Sequence, residues 1–331
     1  MPRVDRRLSV APMMDWTDRW CRRFHRQFSA HTLLYTEMVT TGAILHGDAE
    51  RHLGPVNEEG PLALQLGGSV PEDLHRAVTI ALEYNFDEIN LNVGCPSDRV
   101  QNGAFGACLM RTPELVAECT AAMIDAAKDG PEITVKCRIG VDDQEPGQVL
   151  PAFIDRIART GVRSFAIHAR KAWLEGLSPK ENRTIPPLDY ALVQDVKRAR
   201  PDTEIVLNGG IATLDAAVEH LEAFDGAMIG RAAYHTPTEI LANADCLVFG
   251  ADTPAVDPVL AVRKMYDFVE QELSGGTRLN QITRHMLGAF AGRPGARRWR
   301  RKLSEQAHLP GAGIEVIETA LAEVLPARAA E

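Results

Sequence analysis

Two rhythms of apolar residues alternate along the chain. Short runs dense in aliphatic and β-branched side chains occupy residues 8–14 (LSVAPMM), 33–39 (LLYTEMV), 61–67 (PLALQLG), 88–94 (EINLNVG), 134–140 (TVKCRIG), 164–170 (SFAIHAR), 204–210 (EIVLNGG) and 226–232 (GAMIGRA). Runs of this length and composition predict strands. Between them lie stretches with helical spacing, such as PEDLHRAVTIALEYN after the third run and TPELVAECTAAMIDAAKDG after the fourth. In the latter, Thr112 stands at the N-cap, Pro113 at the first helical position and a glycine past the last apolar residue, the signals of a helix start and stop. Eight strand and helix alternations over about 240 residues predict an α/β fold of the (β/α)8 TIM-barrel type, which takes ~250 residues. An open doubly wound sheet is the alternative.

Past residue 242 the strand rhythm stops. ADTPAVDP reads as a linker, and VLAVRKMYDFVEQEL, RLNQITRHMLGAF and IEVIETALAEVL carry helical periodicity alone. The expected organisation is a barrel domain over residues 1–242 followed by a small all-helical C-terminal domain over 251–331. One connection, KAWLEGLSPKENRTIPPL at 171–188, is too long to serve only as a link between elements.

Composition narrows the class. With 45% hydrophobic and 24% charged residues, the chain is a packed globular protein rather than a disordered or fibrous one. No run approaches the ~18 uninterrupted apolar residues of a membrane span, and the start MPRVDRRLSV lacks the apolar stretch of a secretory signal. A cytoplasmic protein with no membrane partner is expected. The six cysteines (21, 95, 108, 119, 137 and 246) form no CxxC pair and no spacing with histidine suited to zinc, so reduced thiols and no metal are expected. The formal net charge of −9 argues against a general nucleic-acid coat but says nothing of local patches.

Chemistry in such a barrel gathers at the C-terminal ends of the strands. Those positions hold Met13, Met14, Glu37, Gln65, Asn90, Asn92, Lys136, Arg138, His168, Arg170, Asn208 with Gly209 and Gly210, and Gly230 with Arg231. Side chains two apart share a face, so Asn90 and Asn92 point inward together, as do Lys136 and Arg138. The glycines after strands seven and eight, NGG and GR, stand where barrels commonly hold a phosphate against backbone N–H groups. Tight turns alone are the plainer reading of each glycine taken singly. A phosphate there, Lys136 beside an electron-rich ring and Gln65 on its polar edge suit flavin mononucleotide, FMN. Met13 and Met14 suit either a flat ring or the core. For Lys136, a Schiff-base lysine of a lyase and a structural ion pair are the rival readings.

Cys95 lies in NVGCPSDRVQNGAFGACLMR, a stretch rich in glycine and amides. A thiol is mainly protonated near neutral pH, so at the barrel mouth it can protonate one carbon of an activated double bond while hydride reaches the next. The plainer reading, a small buried hydrophobe, is kept for Cys108, Cys119 and Cys137. No strand is followed by GxGxxG, so a nicotinamide reductant would dock on the flavin and leave before the second substrate, giving ping-pong kinetics.

The stretches APMMDWTD, LALQLGG, EINLNVGCPSDRVQNGAFGACLM, VKCRIG, IHAR, SPKENR, LNGGI, MIGRAAY and GARRWRR, spread over residues 8 to 302, together closely resemble the tRNA-dihydrouridine synthases, in particular their A-type subfamily. The resemblance implies an FMN enzyme that uses NADPH to reduce uridines of the tRNA D loop, conventionally at tRNA positions 20 and 20a, to 5,6-dihydrouridine. It implies flavin contacts from Pro12, Met13, Met14, Gln65, Lys136, His168, Asn208, Gly209, Gly210, Gly230 and Arg231. Cys95 becomes the proton donor to C5, with hydride passing to C6, and Asn92 a contact to the substrate base. A dihydroorotate-dehydrogenase-like enzyme acting on free pyrimidines, a lyase and a non-catalytic RNA binder are the alternatives.

For RNA itself, RPGARRWRRK at 293–302 places Arg297, Arg300 and Arg301 on one helical face, suited to phosphates, with Trp299 suited to stacking. A solvated basic helix is the plainer reading. Lys180 and Arg183 of the long loop are candidates for the opposite wall. Arg19, Arg22, Arg23 and Arg26 read as the outer face of a helix.

Overall fold

The computed structural model describes residues 4–54, 60–97 and 105–325. Eight parallel strands close into a barrel in chain order: β1 (Leu8–Val10), β2 (Leu33–Thr40), β3 (Leu62–Gly67), β4 (Glu88–Val93), β5 (Glu132–Arg138), β6 (Ser164–His168), β7 (Glu204–Asn208) and β8 (Gly226–Ile229). All eight apolar runs are strands, so the barrel reading holds and the open sheet does not. Most of the strands stop short of the runs that announced them, because residues such as Met13, Met14, Gly209 and Gly210 have left the ladder and form the rim.

Helices on the outside begin where proline permits, with Pro71, Pro113 and Pro146 at their first turns, positions that have no partner for an N–H in any case. Thr112 takes the N-cap position of the helix Pro113–Ala127 but makes no capping bond. Its hydroxyl lies instead 3.4 Å from the Leu109 carbonyl.

The barrel floor is polar. Arg6, 2% exposed, donates to Glu88 at 2.6 Å, Glu204 at 2.7 Å and Glu132 at 2.8 Å, the first residues of β4, β7 and β5. These carboxylates hold the guanidinium protonated against the cost of its burial. Above them an apolar layer of Ala11, Leu33, Tyr35, Ala63, Ala166, Val206 and Met228 fills the interior.

The chain forms two compact units, and their membership differs from the boundaries predicted at 242 and 251. One comprises residues 1–14 and 33–230, the other residues 15–32 and 231–331. The crossover between β1 and β2 therefore groups with the C-terminal helices. Polar side chains account for this: Asp18 caps the helix Arg19–Arg26 by accepting from the Cys21 N–H at 3.0 Å and also pairs with Arg284 at 2.6 Å and His285 at 3.0 Å. Arg19 pairs with Glu272 at 2.5 Å, and Asp245 accepts from Ser29 Oγ and from the Ala30 N–H. Arg22 is buried, donating to the Thr17 carbonyl at 2.9 Å, so the four arginines of this helix are not a single outer face. Among the described residues no helix is long and apolar enough to cross a membrane.

Candidate active site

The register sets the chemistry in a row round the rim. Gln65 pairs with Asn90 across β3 and β4, Asn92 with Lys136 across β4 and β5, Arg138 with His168 across β5 and β6, and His168 with Asn208 across β6 and β7. A continuous polar ladder climbs to this row from the floor. Thr134 donates to Glu88 at 2.6 Å, Asn90 to Thr134 at 2.8 Å, Gln65 to Asn90 at 2.8 Å and Asn92 to Gln65 at 2.8 Å. Buried amides need such partners, and each link fixes the orientation of the next.

Cys95 sits at the top of this ladder. The Asn92 side-chain oxygen accepts from the backbone N–H groups of Gly94 and Cys95, both at 3.0 Å. The Cys95 carbonyl accepts from Ala107 at 2.9 Å, and the Gly94 carbonyl accepts from Arg138 Nε at 3.0 Å. Although it lies in a stretch rich in glycine and amides, the turn bearing the thiol is tethered through every one of these backbone groups. The thiol itself is half-buried, with Ser97 Oγ 3.6 Å away. Residues 98–104 of the same stretch lie outside the described residues.

Cations gather around the thiol. Burial, then the field of Arg138, brings Lys136 down to about 8, with Arg183 adding to the shift and Cys95 opposing it. Burial and then Arg183 bring Arg138 down to about 10. Burial, followed by Arg138, Lys136, Arg170 and Arg183, holds His168 well below its ordinary range, so the imidazole is neutral. After burial, neighbouring cations are the largest influence on each of these three side chains. A rim that gathers Lys136, Arg138, Arg170 and Arg183 favours an anionic ligand.

The residues present fit a flavin phosphate and ring. Gly209 and Gly210 take φ of 107° and 77°, a region open to glycine at little cost. A Cβ on Gly209 would stand 2.5 Å from His168 Cδ2, and one on Gly210 would stand 2.6 Å from the Tyr190 hydroxyl, so only bare backbone fits there. His168 Nε2 is buried with no hydrogen-bond partner among the described residues, and a buried ring nitrogen in that state calls for a polar partner. Lys136 is partly exposed at the mouth.

Other expected contacts have their places. Pro12 and Met13 are half-buried, and Met14 is 54% exposed rather than part of the core. Gln65 is 1% exposed, with both ends of its amide in the ladder. Asn208 spends its amide on the Met228 carbonyl, 2.7 Å away. Gly230 closes the barrel unit, and Arg231, exposed, opens the next helix.

Among the candidate RNA contacts, Asn92 is 8% exposed and its amide is committed to Gln65 and to the Cys95 turn. Lys180 and Arg183 are exposed on the long loop. In the helical unit Arg297, Arg300 and Arg301 are exposed on the helix Ala296–Gln306. Trp299 corrects the stacking expectation: it is fully buried, its indole N–H donating to the Met286 carbonyl at 3.2 Å and its ring edge-on to Phe290.

Three residues escaped the sequence reading of the site. Arg138 was placed at a strand end without a role, yet it joins Gly94 to the carbonyls of Lys171 and Asn182, both at 2.9 Å. Tyr190, whose hydroxyl donates to the Gly209 carbonyl, begins a helix nineteen positions upstream. Asn182 is fully buried within a polar loop. Arg138 and Asn182 lie in stretches read for other residues, VKCRIG and SPKENR, whereas Tyr190 lies in none of those stretches.

Comparison with known proteins identifies the family. The profile of the family described as Dihydrouridine synthase (Dus) matches residues 9–325. A tRNA-dihydrouridine(20/20a) synthase of Vibrio cholerae is 58% identical over 319 residues, 96% of each chain. The protein of that name from Escherichia coli K12 is 57% identical over 95% of this chain and 90% of its own. Among solved structures, the old yellow enzyme homologue of Zymomonas mobilis superposes with a TM-score of 0.50 at 13% identity, covering 76% of this chain and 90% of that one, a likeness of fold. The chain belongs to the dihydrouridine synthase family.

Proposed function

We propose that this protein is a cytoplasmic tRNA-dihydrouridine synthase that reduces D-loop uridines, at tRNA positions 20 and 20a, to 5,6-dihydrouridine with FMN as cofactor and NADPH as reductant. The observation that carries the reading is the Cys95 turn, tethered by Asn92 and Arg138, within a rim of cations. The relatives that share 57% and 58% of their residues over nearly the whole chain carry the same activity in their names.

Gly209 and Gly210 would cradle the phosphate, with Gly230 and Arg231 next to it in the barrel's phosphate-binding register. Gln65, Lys136 and His168 would face the ring, with Pro12, Met13, Met14 and Asn208 about it. FMN, when bound, would supply the hydride for C6 of the uracil, with NADPH as the source of its electrons.

The remaining chemistry belongs to the chain. Lys136, charged below pH about 8, stabilises negative charge at the mouth, and neutral His168 offers Nε2 as a donor or acceptor without adding charge. Cys95 gives its proton to C5 as general acid. Asn92 holds the turn that carries the thiol. The target uridine must leave its stack to reach these groups, and Lys180, Arg183, Arg297 and Arg300 hold the surrounding RNA through its phosphates. The helical unit serves as the tRNA-binding part of the enzyme.

A lysine with lowered pKa also permits Schiff-base chemistry, but membership of the dihydrouridine synthase family sets that reading aside. The test is the purified protein's absorption spectrum followed by tRNA assay. A yellow protein bleached by NADPH, which then forms dihydrouridine at positions 20 and 20a of tRNA lacking it, supports the proposal. A colourless protein that ignores NADPH, or one that reduces free pyrimidines and leaves tRNA unchanged, contradicts it.

A further inference from the structure

The long loop after β6 carries an exposed aromatic side chain that the chemistry at Cys95 does not use. Trp173 is 38% exposed, while its backbone is among the most firmly held in the loop. Its N–H donates to Asn182 Oδ1 at 2.7 Å and its carbonyl accepts from Asn182 Nδ2 at 2.8 Å. The next residue, Leu174, donates to Asp142 Oδ1 at 2.8 Å. Asn182 is fully buried and makes a further bond to the Leu177 carbonyl at 3.0 Å. A buried asparagine fully engaged in fixing the backbone of a surface tryptophan fixes the point from which the indole leaves the chain, which lowers the ordering cost of binding.

Charge and position complete the picture. Lys171 Nζ lies 5.3 Å from the centre of the indole ring. Glu181, an acidic neighbour on the loop, is turned onto Ser178 N and Oγ at 2.8 Å and 2.6 Å. Arg138 bonds the carbonyls of Lys171 and Asn182 and, from the same guanidinium, that of Gly94, so the ring and the Cys95 turn are built on one anchor. An exposed flat ring on a fixed backbone, beside a cation, is the composition of a single-stranded nucleic-acid contact, in which a base stacks and the cation meets its phosphate.

We propose that Trp173, with Lys171, forms a stacking subsite for an unpaired nucleotide of the RNA next to the uridine being reduced. The inference deepens the function proposed above and rests on it. Stacking is indifferent to base identity, so the subsite strengthens RNA binding without reading sequence.

The test measures binding and steady-state turnover of FMN-loaded wild type, Trp173→Ala and Trp173→Phe with tRNA lacking dihydrouridine. Trp173→Ala is expected to weaken tRNA binding and raise KM by about 5- to 100-fold, with kcat changed far less, and Trp173→Phe to restore most of the loss. Indole emission of the wild type is expected to fall on adding tRNA, and to fall less in Trp173→Phe. Wild-type Kd and KM in Trp173→Ala would overturn the inference, as would a loss confined to kcat or one accompanied by loss of bound flavin. A wild type that makes no dihydrouridine strikes at the proposed function instead, which keeps the two failures apart.

Discussion

The side chain of Asn92 holds Cys95 from one end and is itself held from the other. Its oxygen accepts from the Cys95 N–H at 3.0 Å while its nitrogen donates to Gln65 at 2.8 Å. The resemblance implied a contact between Asn92 and the substrate base. In the described structure its amide is already engaged in holding the turn that carries the thiol.

Asn92→Ala removes two backbone anchors of the turn and leaves Gln65 Oε1 without its donor. We expect a stability loss of about 1–3 kcal/mol and a fall in dihydrouridine formation of at least tenfold, with flavin still bound. Chemical denaturation and a single-turnover assay measure the two effects separately. Wild-type turnover in this variant would show that the tether does not matter to the thiol.

The barrel floor makes a stability prediction far from the chemistry. Arg6→Leu leaves Glu88, Glu132 and Glu204 facing one another without the guanidinium that pairs them. Breaking a buried ion pair from one side costs about 3–5 kcal/mol, and urea unfolding should register a loss of that size. A loss below 1 kcal/mol would mean that the three carboxylates find other partners.

Much of this architecture is legible in the sequence, for a physical reason. The strands of a barrel covered by helices on its outer face read as continuous apolar runs, and proline marks the helix starts. The rim residues were legible because they stand at the C-terminal ends of those runs. What stayed hidden depends on contacts between distant segments. Arg138 works through the carbonyls of Gly94, Lys171 and Asn182, and carbonyls carry no sequence signal. Trp299 shares the basic segment RPGARRWRRK with exposed arginines, yet it falls on the inner face of the helix, where its size makes it core. The segment 15–32 joins the helical unit through Asp18 and Asp245, single side chains with no periodicity to announce them.

Lys136 gives a pH dependence with a definite sign. Its folded pKa is lowered from 10.5 to about 8, because burial and Arg138 disfavour its charge. An anionic ligand beside it binds the protonated form better, so FMN affinity of the apoprotein should be constant below pH 8 and fall as pH rises through 8. Fluorescence titration between pH 7 and 9.5 measures this. Lys136→Met should bind FMN more weakly and lose that inflection, whereas an unchanged inflection in the variant would assign it to another group.

The exposed arginines of the helix Ala296–Gln306 predict a salt effect. Each phosphate contact contributes about 0.7–0.9 to the slope of log affinity against log salt. Replacing Arg297 and Arg300 together by alanine should weaken tRNA binding and flatten that slope by roughly 1.4–1.8. Filter binding over a range of KCl concentrations measures both, and an unchanged slope would remove these residues from the RNA contact.

The central claim is that Cys95 gives the proton to C5 of the uracil ring. The most direct measurement is a single turnover of prereduced Cys95→Ala with tRNA lacking dihydrouridine. The account predicts that this variant binds FMN, is reduced by NADPH, and forms dihydrouridine about 10²- to 10⁴-fold more slowly than the wild type. Dihydrouridine formation at the wild-type rate in that experiment would contradict it.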